Sequence, residues 1–362
     1  MKFEGVISAD SHVLEPPDLW SKAMESKYGV ETPRMLHDGT SEQRHFFYAG
    51  TQLLDMTGHF AMQERLGANQ TGHVPEARVA FQKETGVQAE VLIGTLMMNL
   101  MQSMRGEALR ASASAYNDWL AEFTSYDPGR LIGVGMVPIN DVAWAVREFE
   151  RLASRGFKSM VINLVPPPGC PPLRDRAYDP LWARAEEMGL PIMLHSATGA
   201  IPNPLHVYSR KEREEAPGTL IQVMSEVVPA LTNEFIFGAI LDRFPGLKVI
   251  SNEFELSWVP HYMWRLDQIQ GDFSRRLSLP KLKMKASDYV RHRVWHGVIN
   301  DPETRFAVER IGVDQIMWGS DYPHNIGIAD AQQALARALE GFSAQDQAKV
   351  VGGTAASVYN LH

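Results

Sequence analysis

Short apolar runs recur along the chain, separated by longer amphipathic stretches. Eight stand out: Val6–Ala9, Ala89–Gly94, Leu131–Ile139, Phe157–Leu164, Leu190–His195, Leu247–Asn252, Val294–Ile299 and Gln315–Ser320. Each is almost continuously apolar rather than alternating. That pattern predicts strands buried on both faces of a parallel sheet. Between them, apolar positions three and four apart predict helices. Val142–Arg155 carries Val142, Ala145, Val146, Phe149 and Leu152 on one stripe. Pro180–Met188 and Ala331–Leu339 read the same way, and Ser343 followed by Asp346 predicts a capped final helix.

Eight strands alternating with helices predict an α/β chain of the closed (β/α)8 barrel type. No Gly-x-Gly-x-x-Gly follows the first strand, which argues against a dinucleotide-binding sheet. Residues 13–85 and 196–246 exceed a minimal barrel, after strands one and five. Both are expected to leave the C-terminal rim as lid or dimer-contact segments of a single domain spanning 1–362.

Composition narrows the function. The chain has 362 residues, a net charge of −8 and no basic stripe, which points away from nucleic acid. No apolar run is long enough to span a membrane. One cysteine, Cys170, permits no internal disulfide, and the first residues lack a signal-peptide pattern. A cytoplasmic, reducing location is expected.

Chemistry concentrates at strand ends. Asp10 and His12 close strand one and point the same way, because strand side chains alternate. His195 ends strand five and Asp321 follows strand eight. Two imidazoles and two carboxylates at one barrel mouth suit a single divalent ion, zinc first and manganese as the alternative. Singly, each residue has a bland explanation; their joint placement carries the expectation.

Several blocks resemble the amidohydrolase-related group that includes aminocarboxymuconate semialdehyde decarboxylase and the aromatic-acid decarboxylases. They are Ile7 through Trp20 around Asp10-Ser11-His12, Tyr178–Trp182 leading to Pro191–His195, Phe244–Ser251, and Trp318-Gly319-Ser320-Asp321-Tyr322-Pro323-His324. The resemblance implies a mononuclear site held by Asp10, His12, His195 and Asp321. Lys158 begins strand four and no lysine ends it, in keeping with one metal. It also implies a homodimer and a small carboxylated aromatic or unsaturated substrate, decarboxylated with Asp321 moving the proton. Two departures stand out. The first motif is Asp-x-His rather than His-x-His or Glu-x-His, and Asn252-Glu253-Phe254-Glu255 stands where a histidine is usual. Glu253 is therefore expected as general base, as an orienter of a ligand, or in an ion pair with Arg265. With the histidine gone, hydrolysis by metal-activated water stays open, with Asp321 or Glu253 as base. A silent ligand-binding barrel is the third alternative.

Four more residues are candidates for substrate contact, each with a structural alternative. His296 would point into the barrel or serve as a core histidine. His324 would meet substrate or make a rim hydrogen bond. Arg174 and Arg210 would clamp a carboxylate or lie solvated on the surface. His261 and the tryptophans Trp20, Trp258, Trp264 and Trp318 read as packing. Met97, Met98, Met101 and Met104 read as core, or as an adaptable pocket wall.

Overall fold

The computed structural model describes residues 3–37, 45–48, 53–56, 68–199, 226–324 and 330–361. Eight parallel strands pair in the order β1 (Val6–Val13), β5 (Val87–Gly94), β6 (Leu131–Met136), β7 (Ser159–Val161), β8 (Ile192–His195), β9 (Val249–Asn252), β10 (Val294–Val298) and β11 (Ile316–Trp318). The expected run of eight is all there, and the helices lie outside it. A second, antiparallel sheet of β2 (Arg34–His37), β3 (His45–Tyr48) and β4 (Leu53–Asp55) belongs to the excursion after β1.

The first strand runs on to Val13 instead of ending at Ala9, so Asp10 and His12 are part of it. Its pairing with β5 slips between Ser8 and Ser11, and such a bulge re-aims the side chains it carries. The third strand stops at Met136, two residues before Pro138, which has no amide to give a ladder. The eighth stops at Trp318, so Ser320 lies beyond it.

The barrel closes between β11 and β1 through the loop rather than through a ladder. Asp321 N donates to Asp10 O and His12 N to Tyr322 O, both at 2.8 Å. Ser8, Ser11 and Ser320 form a buried hydroxyl cluster beneath this seam, with Ser8 and Ser11 Oγ 2.8 Å apart. A Cβ on Gly319 would collide with Asp10, so only glycine lets the two segments approach this closely.

The helices that matter to the site are α1 (Leu19–Tyr28), α2 (Pro75–Thr85), α3 (Leu96–Ser103), α4 (Gly106–Ser125), α5 (Val142–Ser154), α6 (Asp179–Met188), α7 (Val259–Gln268) and α8 (Ala331–Ala338). The expected cap holds: Ser343 accepts from Asp346 N. Asp141 likewise caps α5 by accepting from Trp144 N. Helix α3 starts on a buried carboxylate: Glu15 accepts from Leu96 N and Met97 N at 2.9 Å each. An anion there complements the helix dipole. It also fixes the buried Met97, Met98 and Met101 next to β1. Trp20 and Trp318 are core, whereas Trp264 is exposed and stacks with His261. No described helix is long and apolar enough to cross a membrane.

Candidate metal centre

The seam and the end of β8 bring the four expected residues together. His12 Nε2 lies 3.5 Å from Asp10 Oδ1 and 3.3 Å from Asp321 Oδ1. His195 Nε2 lies 3.4 Å from Asp10 Oδ1. All four side chains are at most 1% exposed. Asp10, His12 and His195 form one group that could hold a metal ion, and His12, Asp321 and His324 form a second that shares His12.

The hydrogen bonds of this cluster do not balance within the protein. Asp10 Oδ2, both His12 nitrogens and both Asp321 oxygens are buried and lack a well-formed hydrogen bond among the described residues, although His12 and His324 lie close to the carboxylates. Each such orphan costs roughly 1–3 kcal/mol, more if charged. A divalent ion taking nitrogen and oxygen donors fits this set. His195 is prepared for it. Its Nδ1 lies 3.0 Å from Ser196 O, so a proton on Nδ1 donates to that carbonyl. The lone pair of Nε2 then faces the cluster.

Electrostatics agree. Burial alone would lower His12, but hydrogen bonding and charge from Asp10 and Asp321 push it up to about 10. His195 is raised too, by Asp10 and Glu253 against burial. Burial would raise Asp321, yet His324 and His12 hold its carboxyl well below the usual range. The pocket is negative enough to favour protons on His12 and His195, though burial and His12 lower His324, and a metal ion would satisfy the same need.

Glu253 joins the site. It follows β9 with φ +64, and its Oε2 accepts from Ser196 Oγ at 2.5 Å and lies 3.4 Å from His195 Nδ1. Burial, then repulsion from Asp321 and Asp10, raises its carboxyl to about 7. Arg265 does not pair with it: that guanidinium bonds Gln268 and lies over the Trp264 ring. Ala197, Glu255 and Asp321 also have left-handed backbones at these strand ends. Such strain gathers at functional sites.

His324 also reaches the centre. Its ring stacks on His12 with centroids 3.8 Å apart, and Nδ1 lies 3.0 Å from Asp321 Oδ1. Thr95 Oγ1 gives its proton to Val13 O at 2.8 Å and lies 3.0 Å from His324 Nε2, so that nitrogen is the donor of their pair. Burial and the charge of His12 lower this imidazole, while the Asp321 carboxylate beside Nδ1 works the other way.

Two expected contacts lie elsewhere, and one is outside view. Arg174 is half exposed and bonds Glu234 through both Nη1, at 2.6 Å, and its backbone amide. That pairing ties it to the helical segment after β8, not to the cluster. Arg210 lies outside the described residues. His296 fails on strand parity. Its partner across the ladder is Ser251, whereas His195 pairs with Asn252. Paired residues share a face, so His296 lies on the face opposite His195 and meets Trp258 edge-on.

Burial lowers His296 to about 3, and neither ring nitrogen has a partner among the described residues. An unfolded histidine takes a proton below about 6.5, whereas folded His296 refuses it until about pH 3. Stability therefore falls as the pH drops through that window. At pH 5 the loss is about 2 kcal/mol. Urea unfolding of the protein and of His296→Leu at pH 7.5 and 5 checks this. Equal losses in both would discard the account.

No sequence signal pointed to Ser196, Thr95 or the seam serines. Each acts on a neighbour 57 to 312 residues away. Comparison with known proteins now adds family. The amidohydrolase family model matches residues 44–361. The chain belongs to the amidohydrolase family. The γ-resorcylate decarboxylase of Polaromonas sp. is 26% identical to this amidohydrolase over 290 residues, 73% of this chain and 86% of the relative. A crystal structure of an amidohydrolase from Mycobacterium avium subsp. paratuberculosis superposes with TM-score 0.82 at 24% identity, covering 98% of this chain and 99% of that one. The 5-carboxyvanillate decarboxylase of Novosphingobium aromaticivorans, in complex with manganese and 4-hydroxy-3-methoxy-5-nitrobenzoic acid, superposes with TM-score 0.73 at 21% identity, covering 99% and 96%. These likenesses agree with the (β/α)8 fold described above.

Proposed function

We propose that this amidohydrolase is a metal-dependent carboxy-lyase acting on a small carboxylated aromatic or unsaturated acid. The observation that carries it is the buried set Asp10, His12, His195 and Asp321, whose unpaired donors fit one divalent ion. The decarboxylase relatives support the reaction class, and the manganese in one of them supports manganese beside zinc. The four residues would hold the ion. When bound, it supplies a Lewis acid that neutralises and orients a substrate oxygen. Asp321 and His324, 3.0 Å apart, would pass the proton that the reaction needs. As the bond to the carboxylate carbon breaks, its electron pair stays on the substrate carbon, and Asp321 delivers the proton there. Met97, Met98 and Met101 would offer an apolar wall. The reading extends to one domain spanning the chain, and to a cytoplasmic homodimer, which sedentation equilibrium would check for its oligomeric part.

Purified protein loaded with manganese or zinc is to be incubated with hydroxybenzoates and unsaturated acids, and carbon dioxide measured. Carbon dioxide is expected from at least one, and none from a chelated sample. Two organic fragments without carbon dioxide would move the assignment to hydrolysis. Glu253 favours that second reading, because a carboxyl raised to about 7 beside His195 can accept a proton from water.

Glu253 also gives a pH prediction. If it works ionised, the rate falls as pH drops through about 7, since protonation removes the active form. Glu253→Gln should erase that inflection and slow turnover by about 100-fold or more. An unchanged inflection in the variant would assign it to another group.

A further inference from the structure

We infer that Arg78 is a positioning residue for the metal centre, acting through the backbone of its two ligand-bearing segments. The inference rests on the metal-centre reading above. Arg78 sits on α2, at the end of the excursion after β1, and is completely buried. Its Nε and Nη2 bind Glu90 of β5 at 2.6 and 2.9 Å, in a two-pronged pair. Gln82, one turn along α2, donates to the same carboxylate at 2.8 Å.

The rest of the guanidinium is turned to the seam. Nη1 donates to His12 O at 2.9 Å and to Thr71 O at 3.5 Å. Nη2 reaches Tyr322 O at 3.5 Å, and the guanidinium lies over the Tyr322 ring, 5.0 Å from its centroid. Tyr322 O also accepts from His12 N, and Tyr322 follows Asp321 directly. One planar cation therefore ties the peptide of His12 to the peptide after Asp321.

Stability is a poor reason for such an arrangement. A buried ion pair recovers little more than its desolvation cost, and apolar residues of similar volume often do as well. What an apolar pair cannot supply is a fixed fork of donors. Here those donors set the spacing between His12 and Asp321, whose side chains lie 3.3 Å apart. Partners behind metal ligands typically change affinity by about 10–100-fold when removed.

The test uses cobalt and manganese binding to the full chain, with the cobalt absorption spectrum reporting ligand geometry. The variants are Arg78→Lys and Arg78→Met with Glu90→Leu. Arg78→Lys keeps the charge but cannot bridge both carbonyls. The double variant removes the pair without leaving a lone buried charge. Both should bind manganese about 10–100-fold more weakly and shift the cobalt spectrum. Wild-type affinity and spectrum in Arg78→Lys and in the folded double variant would overturn the inference. If the double variant does not fold, Arg78→Lys decides alone. If wild type itself binds neither metal, the metal-centre reading fails and this inference falls with it.

Discussion

Asp321→Asn is expected to abolish turnover, by about a thousandfold or more, while leaving the protein folded. Asparagine keeps the size and can accept the backbone-level geometry of the seam, because the bonds there run through Asp321 N to Asp10 O rather than through the carboxylate. What it removes is the negative charge that His12 and His324 both face, at 3.3 and 3.0 Å. A neutral amide neither ligates a divalent ion as a carboxylate does nor moves a proton. Loss of a positioned acid–base group alone accounts for about 100- to 10,000-fold, and a weakened metal site adds to it. Steady-state rates with a melting curve on the same sample check both halves. A folded variant that keeps a tenth of wild-type activity would remove Asp321 from the reaction.

Stripping the metal is expected to produce the other large effect. A chelated sample should lose activity and melt several degrees lower, since a ligand at a hundredfold excess over its dissociation constant contributes about 2.7 kcal/mol. Reloading should release protons. His12 is pushed up to about 10, so at pH 8 the stripped centre holds a proton that metal must displace. Calorimetric titration in two buffers of different ionisation heat should register about one proton released per ion. No proton release would mean that His12 is not a ligand.

Much of the fold was readable because burial on two faces leaves an unbroken apolar run; six of the eight runs needed only trimming at their ends, and the first two strands run longer than expected. Asp10, His12, His195 and Asp321 were readable because a barrel puts every strand's C-terminal end at one mouth. The misses have physical causes. Arg174 looks free in sequence because Glu234, its partner, lies 60 residues on. His296 was open because parity across a strand depends on register, which no single strand reveals. Arg78 went unread although a signal existed. Glu90 interrupts the apolar run Ala89–Gly94, and an acid in a buried strand requires a cation. Arg78 and Gln82, four apart on one helix, answer it.

The seam bears on how the protein comes into being. Ser8 and Ser320, which stitch it, are 312 residues apart in the chain. At ribosomal rates of roughly 5–20 residues per second, the interval between making them is on the order of 15–60 s. Throughout that time the nascent chain carries Asp10 and His12 without Asp321. The four-residue centre is therefore complete only at the end of synthesis, and a ribosome-stalled product ending before β11 should hold a metal ion more weakly than the full chain.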